Sequence, residues 1–203
     1  MNVRTIAVWI PATRRIVSDA QLLRQYIDDY LRQDIYEEVE DQVVTGSGAA
    51  ENFTGILNTV GIGDAGAPGA GESALDVIRE AKGLVQTNAR TNPTAVLLNP
   101  ADAEKVDKLK INSEVNHFIS PPFGPSAQRV LWGMAVVETS AVPAGTGLAG
   151  DFRKAVLFDR EDVEITLGTA SDDFIRNLLR VLGELRAGFV VQRASAFAKF
   201  TVP

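Results

Sequence analysis

The 203-residue sequence contains no cysteine, which removes disulfides, thiolate metal sites and thiol nucleophiles, and suits a reducing compartment. It has a single histidine, His117, between Asn116 and Phe118. Zinc takes three or four protein ligands, so one imidazole with no second beside it builds no metal site, and the expectation is a surface or loop histidine. No apolar run approaches the length of a membrane span, and the opening Met1 to Ile10 stretch is too short for a signal peptide, so the chain reads as soluble and free of membrane contact. There is no basic excess: 20 Lys and Arg face 26 Asp and Glu, for a net charge of −6. The cations are scattered rather than gathered in a stripe, which argues against a tight grip on DNA or RNA while leaving proximity to nucleic acid open. A serine nucleophile elbow, internal repeats and low-complexity tails are also missing.

What is present is an ordinary globular composition, 45% apolar and 23% charged, enough for one domain or two small lobes. Val3, Ile6, Val8 and Ile10 predict an opening strand stopped by Pro11. Ser18 and Gln21 form a capping-box pattern before Leu23, Ile27, Leu31, Ile35 and Val39 at fourfold spacing, with Leu22, Tyr26 and Tyr30 broadening the stripe. This predicts one helix from Asp19 to about Val44, ~39 Å long, lying on a sheet that includes the terminal strand. Gly46 and Gly48 end it. A second helix is predicted from about Ser73, a buried strand over Ala95 to Leu98, and a short helix from Ala101 to Lys110. Residues 130–137 read as a strand kinked at Gly133, and residues 154–158 and 163–167 as a hairpin around Asp159 to Glu161. Phe174, Leu178, Val181, Leu182, Leu185 and Phe189 share one face of a predicted final helix, followed by a terminal strand over residues 196–202.

Gly61, Gly63 and Gly66 match the spacing of a dinucleotide-binding loop, but Pro68, Gly69 and Gly71 follow at once, leaving no helix N-terminus against the third glycine. A flexible loop is the better account. Asp34, Glu37, Glu38, Glu40 and Asp41 crowd the long helix and read as a solvated face, with Arg14 and Arg15 a candidate basic partner in a neighbouring molecule. No constellation of residues calls for a catalytic role, a cofactor, a metal or a small-molecule substrate.

Taken in order, residues 2–7, the long helix, residues 53–56 and 96–100, Trp132-Gly133, residues 158–163 and the tail from Phe174 to Val202 resemble the major capsid protein family of tailed double-stranded-DNA bacteriophages and prophages, the Hong-Kong-97-type shell proteins. The resemblance implies an α+β fold. Residues 1–48 and 154–203 would form a P-domain, a long spine helix on a β-sheet, and residues 49–153 an A-domain, a mixed sheet with flanking helices. It implies a non-enzymatic structural subunit of an icosahedral shell, partnered by copies of itself, assembled in the bacterial cytoplasm and enclosing DNA by proximity alone. The family's N-terminal arm and extended E-loop precede the point that matches Met1, so the chain resembles a C-terminal core, expected as monomers or small rings in dilute solution. Some members join subunits through a lysine and an asparagine assisted by a glutamate, and Asn177 and Glu184 match those places. An ordinary polar helix face remains the stronger reading of the pair. The alternatives are an encapsulin-type nanocompartment shell and, from another class, a small nucleotide-binding enzyme using the loop over residues 61–66.

Overall fold

The fourfold stripe is one continuous helix, α1 (Gln21–Thr45), as the spacing predicts. The computed structural model describes residues 3–15, 21–109 and 129–203, so Ser18 of the capping pattern lies outside the described residues, as does His117. Leu31 and Ile35 are wholly buried and Val39 nearly so, each burial contributing about 1.5–3 kcal/mol. Tyr26, Tyr30 and Tyr36 are exposed instead. The first two stack on each other with ring centroids 6.5 Å apart, about 100° around the helix from the buried stripe rather than widening it.

The chain divides into two units, one of residues 1–55 and 157–190, the other of residues 56–156 and 191–203. In the first, α1 covers a three-stranded sheet in the order β1 (Arg4–Thr13), β8 (Leu178–Val191), β7 (Ala155–Gly168). Strand β1 runs antiparallel to β8, from Arg4 opposite Ala187 to Thr13 opposite Leu178. It continues through Pro11, where the sequence predicts a stop. Being at the sheet's edge, β1 tolerates a residue without an N–H. Ile6, Val163, Leu185 and Ala187 pack with Ile35, Val39 and Phe53, while Ala12 and Val181 pack with Leu31.

Strand β8 corrects the predicted final helix. Its inward residues are Val181, Gly183, Leu185 and Ala187, an alternating set in which glycine and alanine hide the period of two. Those small residues are needed because the helix comes close: a Cβ on Gly183 would stand 2.8 Å from Ile35 Cδ1. The predicted hairpin around Asp159 to Glu161 is likewise absent, since β7 runs unbroken past those residues. No residue between Ala155 and Gly168 adopts the positive φ that a tight hairpin turn demands.

Beyond α1 the chain reverses tightly. Gly46 N–H donates to the Gln42 carbonyl at 2.9 Å, and Gly55 N–H donates to the Gly46 carbonyl at 2.9 Å. The buried Gln42 side chain accepts from Phe53 N–H at 3.2 Å, satisfying a backbone donor that water does not reach.

The second unit is a six-stranded mixed sheet in the order β2 (Gly63–Asp64), β9 (Phe197–Thr201), β6 (Thr146–Gly150), β3 (Ala95–Leu98), β5 (Met134–Glu138), β4 (Val130–Leu131). Strand β6 is antiparallel to both β3 and β9, and β3 is parallel to β5. Helix α2 (Ala74–Ala89) packs on it through Val77, Ile78, Ala81 and Val85. Helix α3 (Pro100–Asp107) starts where the Asn99 side chain caps it and Pro100 fills the first turn. The terminal strand therefore joins this sheet rather than the one under α1, which places residues 191–203 with the second unit and not with the expected P-domain. Residues 130–138 are a hairpin, not one kinked strand: Trp132 and Gly133 form a two-residue turn with φ of 54° and 83°.

Candidate assembly surfaces

The connection between β7 and β8, residues 169–177, is braced from several sides. Ser171 and Asn177 hold positive φ, 52° and 55°. Asp173 Oδ2 accepts from Ala170 N–H at 3.0 Å and from Arg180 Nε at 2.6 Å, and the Arg180 guanidinium lies 4.2 Å over the Trp9 ring. Arg14 sits 5.5 Å over the Phe174 ring, and its N–H donates to the Asn177 carbonyl at 3.1 Å. The brace leaves Phe174 and Ile175 pointing outward, 69% and 81% exposed. Arg180's hydrogen bond, and after it the Ala170 N–H, hold the Asp173 carboxyl below the usual aspartate range. The stabilisation it contributes is complete above its unfolded pKa of about 3.9 and fades as the pH falls through the lower folded value. Melting curves between pH 2 and 6 should show the parent's advantage over Asp173→Asn present at pH 6 and shrinking only below about pH 4; an advantage that does not vary with pH would reject the brace as an ionised pair.

The structure places Asn177 and Glu184 apart. Asn177 is an exposed loop residue, and Glu184 is exposed on β8 opposite Ala7. Seven residues of extended chain span about 23 Å, so the two are not on one helix face, and no geometry within the subunit brings them together.

At the glycine loop and the stretch that follows it, three carboxylates accept from backbone N–H groups. Asp64 accepts from Gly66 N–H at 2.9 Å, Glu72 from Gly69 N–H at 2.6 Å, and Asp76 from Ser73 N–H at 2.8 Å. Their charge repels an anion at the N-terminus of α2. On α1 the acidic run is a solvent-facing surface in which Gln33 donates to Glu37 and Gln42 to Glu38, each at 2.8 Å. Burial, then Glu38, Glu40 and Glu37, push Asp41 upward. The first unit holds 9 Lys and Arg against 16 Asp and Glu, and the second 11 against 10. The chain's negative charge thus resides in the helix-and-sheet unit.

Among the described residues no group of three or more His, Asp or Glu is placed to hold a metal ion, and no helix is long and apolar enough to cross a membrane. Sequence reasoning missed the Trp9, Arg180, Asp173 brace, whose members lie on three separate stretches of chain. It also missed the strained Trp132 turn, for which the Trp-Gly pair was the only available signal.

A fold of two such units is the Hong-Kong-97-type α+β capsid fold. It recurs in a chain from Gordonia phage Cozz with a TM-score of 0.77 at 15% identity, covering 99% of this chain and 70% of that one. It recurs also in the capsid of a native GTA particle, with a TM-score of 0.72 at 18% identity, covering 98% of this chain and 72% of that one. Residues 1–202 match the phage capsid family, and the chain belongs to that family. It is 31% identical over 202 residues to the major capsid protein of Enterobacteria phage HK97, covering 98% of this chain and 52% of that protein. The chain thus spans about half the length of the curated relative it matches.

Proposed function

We propose that this chain is a structural, non-enzymatic subunit of an icosahedral bacteriophage or prophage shell, which associates with copies of itself to enclose DNA. The observation that carries this reading is the family match over residues 1–202 together with the identity to a major capsid protein. In this reading the helix-and-sheet unit is the P-domain and the six-stranded unit the A-domain. The subunit is assembled in the bacterial cytoplasm and ends in the virion shell. The net charge of −6 fits a container that encloses DNA without binding it tightly. Asn177 and Glu184, both exposed, serve as polar surface. Denaturing electrophoresis of assembled material should accordingly show single chains, and a ladder abolished by Asn177→Ala would assign Asn177 to a cross-link.

The test is light scattering with electron microscopy of the purified chain over a concentration series. Rings or closed particles of regular size are expected as the concentration rises. A chain that stays monomeric up to its solubility limit would reject the shell reading.

A further inference from the structure

Gly83 and Trp132 each bear a local cost that no contact among the described residues explains. Gly83 stands in the interior of α2, where glycine is a poor helix former. Among the described residues a Cβ there would meet only Arg79 Nη1, at 3.8 Å, so none of them demands the missing side chain. Trp132 occupies the first position of a two-residue turn at φ 54°, a place that suits asparagine or glycine and strains a bulky residue. It is 52% exposed, and Lys82 Nζ fixes the turn by donating to its carbonyl at 2.5 Å.

The two features lie on opposite flanks of one unit. Lys82 faces the turn beyond β4, at one edge of the sheet. Glu80, Gly83 and Leu84 line an open hollow with Asp64 of β2, the strand at the other edge. Asp64 shares its charge with Lys199 at 3.3 Å, which leaves Glu80 as the principal anion of the hollow.

We propose that the Trp132 and Lys82 flank of one copy docks into the Glu80, Gly83 and Leu84 hollow of a second copy of this chain. The inference rests on the shell-subunit reading and names the surfaces through which copies meet. Gly83 supplies a flat floor for the indole, Leu84 an apolar wall, and Glu80 the counter-charge for Lys82. Strained residues persist where function requires them, and tryptophan is enriched among residues that dominate binding. The six-stranded unit, with 11 cations and 10 anions, brings copies together without the mutual repulsion of the acidic one. Because the two surfaces differ and lie at opposite sheet edges, the contact is head-to-tail and can repeat from copy to copy, forming a ring where the rotation closes.

Sedimentation of the 203-residue chain over a concentration series tests this. Trp132→Ala and Gly83→Leu should each weaken self-association by roughly 30-fold, with the melting temperature of Gly83→Leu unchanged or raised, because leucine favours the helix. Trp132→Asn, which suits the turn better, should weaken association equally and so separates lost contact from lost folding. An equimolar mixture of Trp132→Ala and Gly83→Leu holds one intact contact per pair and should stop at two-chain complexes. Either single variant assembling like the parent overturns the inference and leaves the shell reading standing. A mixture that stays monomeric shows that these two surfaces do not meet. A parent that never associates overturns both.

Discussion

Gly147→Val should unfold the six-stranded unit or cost more than about 3 kcal/mol, at the upper end of overpacking penalties. A Cβ at this position would stand 2.2 Å from two atoms of the Phe200 ring. That ring lies opposite Gly147 in the register of β6 with β9 and is 1% exposed, so it has no space to turn aside. Gly150 repeats the arrangement beneath Phe197, where a Cβ would approach the ring to 2.4 Å. Urea denaturation is the measurement. Gly168→Val is the control, because a Cβ there would meet nothing within 4 Å and the change should stay within about 0.5 kcal/mol. A Gly147→Val protein as stable as the parent would show that the ring over glycine is not a fixed element of this sheet.

Ile35→Ala should destabilise the helix-and-sheet unit by about 2–5 kcal/mol, the range for emptying a fully buried aliphatic site. Ile35 is wholly enclosed among Ile6, Val39, Phe53, Val163, Leu185 and Ala187. Its Cδ1 is also the atom that forbids a side chain at Gly183. The two positions are therefore coupled: Gly183→Ala alone should be destabilising, yet the double variant should cost less than the sum of the two, by about 0.5–3 kcal/mol. Additive costs in that double-mutant cycle would reject direct contact between α1 and the backbone of β8.

These same positions explain what the sequence could and could not disclose. Helix α1 was legible because large apolar residues at fourfold spacing leave one solution. Residues 95–98 and 197–201 were legible as short apolar strands bounded by breakers. Strand β8 was not, because Leu178, Val181, Leu182, Leu185 and Phe189 satisfy a helical period while Gly183 and Ala187 silence the alternating one. Those two are small for a tertiary reason, the approach of α1, which acts across a long stretch of intervening chain and leaves no local mark. The membership of the terminal strand failed similarly, since an apolar strand carries no label for the sheet it joins. The candidate surfaces were the least legible: Trp9, Arg180 and Asp173 converge only after β1 and β8 pair, and the φ of Trp132 is a property of its turn.

The pairing of Arg4 with Ala187 also has a meaning in time. During synthesis at roughly 5–20 residues per second, α1 is complete about seven to thirty seconds before β8 exists. For most of that interval the Leu31, Ile35 and Val39 stripe has neither β7 nor β8, two of the three strands of the sheet that α1 covers. The apolar stripe of α1 is thus closed by a strand synthesised long after it, and a cell making many copies at once holds a crowd of such open stripes until each closes.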